Sequence, residues 1–440
     1  MTSPFDQELA RRLAQLRDQG LYRELRRIDS PQGPRIMVGA QALLNFSSND
    51  YLGLAAEPAL KAAARQAVSR YGAGSGASRL ICGSLAPHHQ LDEALAAFKG
   101  AQAALSFSSG YAAALGTIGA LAGKGDIVIL DKLVHACIVD AARLSGAKLR
   151  VFDHNDVGGL ERLLRWADGG GPKAESRRPK GEGGGPEAEA EGAEFGVERA
   201  LPPEGGAPVA LGTPPSGGSS VLIVTESIFS MDGDQAPLRE LVALKEKYGA
   251  WLMVDEAHAT GLYGLNGRGL AEELGVSHRI EVQMGTLGKA LGASGGYVCG
   301  SKTLIDYLVN RARSFIFSTS PAPAAVAAAT AAISFVQSDA GRQRRNLLWQ
   351  RVSEVRSFLA SQDRWPCPAS PPCAIIPLML GQEERAVRAS AALRNQGIFI
   401  PAIRYPTVPR GQARLRFTLT AAHTPADIEQ LLAALRAVSF

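Results

Sequence analysis

The sequence is short of cysteine, has no apolar run long enough to span a membrane, and carries no block of charge of one sign. Each shortage excludes a class of protein. The five cysteines (Cys82, Cys137, Cys299, Cys367 and Cys373) are scattered, odd in number and without CxxC spacing. That pattern argues for reduced, buried thiols rather than a disulfide framework, and no metal site is expected. No apolar run reaches about 18 residues, so no membrane span is expected. Asp6 and Glu8 stand early, with no signal-type apolar core, so a cytoplasmic location is expected. The net charge is only +5 over 440 residues, and no Lys/Arg block is interleaved with aromatics, which argues against a nucleic-acid partner. What remains is ordinary globular composition, 46% hydrophobic and 20% charged, enough for a large core in two or three domains.

The dominant pattern is alternation. Apolar strands at Ala103–Phe107, Asp126–Leu130 and Lys148–Val151 alternate with helices at Ala112–Leu121, His135–Leu144 and Val157–Trp166. Short, continuously apolar strands between helices predict an α/β fold with a mostly parallel sheet covered on both faces. Such sheets bind ligands beyond the carboxyl ends of their strands. Residues 168–220 break the pattern. They are rich in Gly, Pro, Glu and Ala, with a single Phe, and read as a disordered insertion in a surface loop. The sheet pattern resumes at Val221–Thr225 and Trp251–Asp255. A helix is expected over Ser301–Ser314, then long helices from Ala324 to about Leu359, then a smaller terminal domain closing on Pro425–Val438.

The chemistry concentrates in Gly285–Tyr297, where Lys289 sits among glycines and short hydroxyls after an apolar run. Small neighbours leave room for a flat cofactor. Upstream, the strand Trp251–Asp255 ends in a carboxylate, with His258 three residues on. A carboxylate at one strand end and a lysine at the next is the arrangement a pyridoxal phosphate enzyme needs: the lysine forms the Schiff base and the aspartate partners the ring nitrogen. Ser108–Tyr111 opens a helix after a strand and is the expected phosphate seat, with free amides and a dipole end facing the anion. His135 either stacks on a cofactor ring or is a plain helix-start histidine. Asn45–Leu54 is turn-rich yet carries two aromatics and two leucines, as a loop packed beside a ligand does. Gly72–Ser84 is a flexible small-residue loop rather than a dinucleotide fingerprint, since no apolar strand precedes it. Arg414 and Arg416 share one face of a strand and either hold a specific anion or form a charged surface.

These blocks, with Asp131–His135, Phe229–Asp234, Asp255–Gly261, Thr286–Tyr297 and Ala402–His423, resemble the α-oxoamine synthases over nearly the whole chain except the insertion. The resemblance implies a fold-type-I pyridoxal phosphate transferase: a mostly parallel seven-stranded sheet covered by helices, with a smaller α+β C-terminal domain. The implied division is an N-terminal helical segment (1–45), a large cofactor domain (46–336, holding the 168–220 insertion) and a small domain (337–440). It implies pyridoxal 5′-phosphate as cofactor, a homodimer, and L-alanine plus a pimeloyl thioester, carried by CoA or acyl-carrier protein, as substrates. Lys289 would be the Schiff-base lysine, Asp255 the pyridinium partner, His258 a partner of the phenolic oxygen, and His135 the ring stacker. Ser230 and Thr286 would contact cofactor oxygens, and Gly110 and Tyr111 would line the site. Asn49, His135, Thr407, Arg416 and Arg26 would contact substrate, with Arg23 competing for the place of Arg26. Tyr405 departs from the proline usual in biotin-pathway members. Glycine with another acyl-CoA is the alternative chemistry, and a non-catalytic scaffold the alternative of another class.

Overall fold

The computed structural model describes residues 2–169, 220–362 and 371–438. The expected disorder of the insertion therefore lies, for residues 170–219, outside the described residues, as does Cys367.

The N-terminal helix α1 (Pro4–Asp18) is capped by Ser3, whose Oγ accepts from Asp6 N–H. A hairpin follows, β1 (Arg35–Val38) and β2 (Gln41–Asn45), then helices α2 (Pro58–Tyr71) and α3 (Ala86–Lys99). The alternating region then supplies β3 (Ala103–Phe107), α4 (Gly110–Leu121), β4 (Ile127–Asp131), α5 (Ala136–Ser145), β5 (Lys148–Phe152) and α6 (Val157–Ala167). It continues with β6 (Val221–Glu226), α7 (Leu238–Lys247), β7 (Trp251–Asp255), β8 (Val282–Thr286) and β9 (Gly296–Gly300).

The expected seven-stranded sheet is present, in the order β3-β9-β8-β7-β6-β4-β5. Strands β4 to β8 pair in parallel, and β9 runs antiparallel to both β8 and β3. Ile127–Leu130, Leu222–Val224 and Leu252–Val254 are buried throughout, because helices cover both sheet faces and no position meets water. The carboxyl edge lines up Asp131, Glu226, Asp255 and Thr286, and Glu226 and Asp255 are direct partners on adjacent strands. Gly296 begins β9 at this edge. A Cβ there would stand 2.4 Å from Ser109 O and 2.5 Å from Gly110 N, so only glycine lets the strand pass beneath the start of α4.

The C-terminal segment adds β10 (Ile375–Gly381), β11 (Ile398–Phe399), β12 (Ala402–Ile403) and β13 (Ala413–Thr418). One small sheet is β10-β13-β12, and the other joins β1 and β2 to β11. Loop 45–54 is threaded between this segment and the large sheet. Phe46 N–H donates to Phe399 O, Thr418 N–H to Phe46 O, and Ala421 N–H to Tyr51 O.

Two expectations are corrected. The helix over Ser301–Ser314 is two helices, Lys302–Arg311 and Arg313–Ile316, broken at a buried, extended Ala312 (φ −72°, ψ 101°) that packs against Gly116. Loop 72–84 is pinned rather than free: Ser75 Oγ donates to Pro321 O, and Arg79 pairs with Asp92 at 2.9 Å, both partners largely buried.

Candidate active site

Lys289 follows the end of β8 and lies partly buried beside His258, its Nζ 2.6 Å from His258 Nε2. The other ring nitrogen, Nδ1, lies 2.7 Å from Tyr51 Oη, and Tyr51 Oη donates to Asn49 Oδ1 at 3.1 Å. Asn49 Oδ1 in turn accepts from Arg416 Nη1 and Nη2 at 3.3 and 3.2 Å, and Arg416 Nε donates to Ser230 O at 2.5 Å. One chain of contacts therefore runs from the lysine of the large sheet to the arginine of β13. The threaded loop 45–54 is the link that carries it.

Asp255 ends β7 with Oδ1 accepting from Ala257 N–H at 2.9 Å. Its neighbour Glu226 accepts the backbone N–H of His135 at 2.5 Å, which fixes the start of α5. His135 caps that helix, Nδ1 accepting from Cys137 N–H and lying 3.0 Å from Cys137 Sγ. Burial pushes the Lys289 amine below its ordinary value, against the pull of Asp255 and Glu226, which favours the neutral, nucleophilic form. Burial pushes Asp255 up, with the nearby Lys289 charge opposing. Glu226 rises to about 8, from burial and then from the Asp255 charge. Burial, then the charges of Lys289 and Arg416, hold His258 well below its ordinary value, so it stays a neutral imidazole. Burial and Lys289 also lower His135.

The opposite wall is the N-terminus of α4. Ser109 Oγ accepts from Ala112 N–H, leaving the amides of Gly110 and Tyr111 among the first helical donors, which have no intrahelical acceptor. A Cβ on Gly110 would lie 3.7 Å from Thr286 Cβ, so the helix start and the end of β8 face each other across a narrow gap. Thr286 Oγ1 donates to Gly295 O and accepts from Gly288 N–H, bracing the lysine loop. Tyr111 is half exposed and donates to Asp140 at 2.7 Å.

Lys289, His258, Asn49, Arg416 and Ser230 are thus joined by direct contacts, and Asp255 and His135 by the carboxyl edge and Glu226. Arg26 and Thr407 are not joined to them. The Arg26 guanidinium lies 5.7 Å over the Phe399 ring, and the arginine beside Thr407 is Arg23, at 3.5 Å. Of the two arginines on β13, Arg414 is 2% exposed and pairs with Asp232 at 2.5 Å, which excludes a charged surface face. Sequence reasoning missed Tyr51 as the partner of His258, although an aromatic in a polar turn was a usable signal. It also missed the ring of His154 between Asp131 and Asp234, for which no local signal exists.

A lysine amine, a carboxylate at a strand end and a helix N-terminus facing one gap suit a flat aldehyde that carries a ring nitrogen and a phosphate.

Residues 41–435 match the family model described as aminotransferase class I and II. The chain is 44% identical over 427 residues to an 8-amino-7-oxononanoate synthase of Geobacter sulfurreducens, covering 97% of this chain and 96% of that protein. It is 46% identical over 419 residues to the 8-amino-7-oxononanoate synthase of Anaeromyxobacter dehalogenans, covering 95% and 92%. Among solved structures it is similar to a serine palmitoyltransferase from S. paucimobilis with a bound PLP–myriocin aldimine, at a TM-score of 0.82 and 28% identity over 99% and 98% of the two chains. It is also similar to 8-amino-7-oxononanoate synthase from Francisella tularensis, at a TM-score of 0.67 and 26% identity over 89% and 96%. The fold is therefore that of the fold-type-I pyridoxal phosphate enzymes, and the cofactor is pyridoxal 5′-phosphate. The chain belongs to the class I and II aminotransferase family and, within it, to the 8-amino-7-oxononanoate synthases.

Proposed function

We propose that this chain condenses L-alanine with a pimeloyl thioester, borne by CoA or acyl-carrier protein, to give 8-amino-7-oxononanoate, carbon dioxide and the free thiol carrier. The observation that carries the reading is the contact chain Lys289–His258–Tyr51–Asn49–Arg416, which holds an amine and a carboxylate-binding arginine in one site. Likeness to relatives of that name, 44 and 46% identical over nearly full length, supports the substrates.

Bound pyridoxal phosphate supplies an aldehyde that captures amines and a ring that stores the electrons of the Cα carbanion. Lys289 Nζ would hold the cofactor at rest and, when freed, would take the proton from Cα of the amino acid and return one to the product. Asp255 would keep a proton on the ring nitrogen, a charge pair that its burial would strengthen. His258, oriented by Tyr51, would serve the phenolic oxygen. His135, its backbone fixed by Glu226, would pack on the ring. Thr286 and Ser230 would contact cofactor oxygens, and the Gly110 and Tyr111 amides would take the phosphate. Arg416, with Asn49 across its guanidinium, holds the amino-acid carboxylate until it leaves as carbon dioxide. Thr407, with Arg26 or Arg23, would contact substrate. Residues 1–45, 46–336 and 337–440 are read as an N-terminal helical segment, the large cofactor-binding domain and the small C-terminal domain.

The same reading includes a cytoplasmic homodimer. Among the described residues no helix is long and apolar enough to cross a membrane. Helix α1 buries nothing within the chain and exposes Phe5, Leu9, Leu13 and Leu16 on one face, which suits a second copy.

A substrate panel tests the function. L-alanine, glycine and L-serine are each paired with pimeloyl-, acetyl-, succinyl- and palmitoyl-CoA, reading thiol release and product mass. Preference for L-alanine with pimeloyl-CoA is expected. Preference for glycine, or for L-serine with palmitoyl-CoA, would move the chain to a sister synthase. The structural likeness to a serine palmitoyltransferase makes the serine arm worth including.

A further inference from the structure

We propose that His154 is a positioning residue for amino-acid binding: by bridging Asp131 and Asp234 it fixes the hairpin 228–235, whose Ser230 carbonyl aims Arg416. The inference rests on the reading of Arg416 as the carboxylate ligand.

His154 stands two residues beyond β5, with Nδ1 3.0 Å from Asp131 Oδ1 and Nε2 2.6 Å from Asp234 Oδ2. Both ring nitrogens face carboxylate oxygens. Imidazole donates from both nitrogens only as a cation, so the geometry requires the protonated ring. Burial works against that cation, but the hydrogen bonds to Asp131 and Asp234 outweigh it and raise His154 to about 10. The ring also sits edge-on to Phe229, centroids 4.3 Å apart. Asn155, at φ +56°, adds its N–H to Asp131 Oδ2 and its amide to Asp234 Oδ2.

The hairpin closes on itself through Phe229 N–H to Asp234 O, Gly233 N–H to Phe229 O, and a bridge between Ile228 and Gln235. On its far side Arg414 pairs with Asp232, and Arg416 Nε donates to Ser230 O. Two cations thus grip the hairpin from opposite sides, His154 from the large sheet and Arg414 from β13. The Ser230 carbonyl between them orients the third, Arg416. Removing the His154 charge leaves Asp131 and Asp234 facing each other without a counterion. The hairpin shifts, and Ser230 O moves off the Arg416 guanidinium. His154 itself touches no reacting group, so the larger loss falls on amino-acid affinity, with a smaller effect on the chemical step through Ser230 beside the cofactor.

The test compares holoenzyme wild type with His154→Gln, which is neutral and can bond only one carboxylate, and with Asp234→Asn. Alanine affinity is read from the shift of the bound cofactor's visible band. KM and kcat are read for both substrates, and hydrogen exchange is read over 227–235. Expected for His154→Gln is a rise of about ten-fold in alanine Kd and KM, with kcat changed less than about three-fold and the acyl-CoA KM unmoved. Exchange over the hairpin is expected to quicken. Asp234→Asn is expected to shift alanine affinity the same way by a smaller factor, and it decides the matter if His154→Gln does not fold. Unchanged alanine affinity with only a lowered Tm, or a fall in kcat alone, overturns the inference. Wild type that fails to turn over L-alanine with pimeloyl-CoA overturns the functional reading instead, a result visible before any variant is made.

Discussion

In the proposed reading the chemistry turns on Lys289, and its neighbours suit a reactive amine. Burial disfavours its charge against the pull of Asp255 and Glu226, and the 2.6 Å contact to a neutral His258 adds no further anion. Lys289→Ala should therefore abolish turnover, read as loss of thiol release. Near-normal product from that variant would sink the assignment. Tyr51 acts at one remove. Tyr51→Phe removes the oxygen 2.7 Å from His258 Nδ1 and should cost about 1–2 kcal/mol, or about ten-fold in kcat/KM, without unfolding the protein. An unchanged kcat/KM would show that His258 is oriented without it. His423 makes a prediction about acid. Its ring stacks on Phe46, Nδ1 accepts from Thr420 N–H, and Nε2 faces Asn45 O, so the neutral tautomer is built in. Burial lowers it to about 4 from an ordinary 6.5. A depressed histidine contributes its full stability above pH 6.5 and loses it as pH falls through 4, about 3 kcal/mol in all. Urea midpoints measured from pH 7 to pH 4.5 should fall more steeply for wild type than for His423→Gln. Parallel slopes would show that other groups govern acid unfolding.

At the scale of elements, the apolar runs were legible because burial on both faces leaves a strand no polar positions to hide. Ala103–Phe107 and Trp251–Asp255 stand where the sequence puts them. Motif spacing likewise placed Asp255 at the end of one strand and Lys289 just beyond another, where the structure has them. The strand expected at Ile398–Ile400 is β11, whereas the two-residue strand β12 was not legible as a unit, because it forms only against β13. Arg414 and Arg416 were legible as a pair on one face, but their separate partners, Asp232 and Ser230, were not. The position of His154 depends on an aspartate 80 residues away, which periodicity cannot reveal. The end of β7 carries a further element-scale prediction. Glu256, fully buried, takes Lys99 from the end of α3 and Ala271 N–H at 2.9 Å. Glu256→Ala would strand the Lys99 cation in the core and should destabilise the fold by about 3–5 kcal/mol, measured as a fall in Tm. A Tm within a degree or so of wild type would show that the cation finds another partner.

For the whole molecule, the insertion is the test of independence. Strand β6 is tied to β4 right up to its first turn, with Ile127 N–H donating to Ser220 O and Ser220 N–H to Asp126. Replacing 170–219 by a short Gly/Ser linker should leave Tm and kcat unchanged, and a loss of either would give those residues a part in the fold or the site. The threading of loop 45–54 has the opposite character. Asn49 and Arg416 stand 367 positions apart and meet only through it. On the ribosome, the lysine and its strand-end carboxylate emerge well before the arginine does. In the proposed reading, a polypeptide cut short between Lys289 and β13 holds the amine that would capture a reactive aldehyde but lacks the arginine that would select the amino acid. Translation must run almost to its end before the molecule can discriminate.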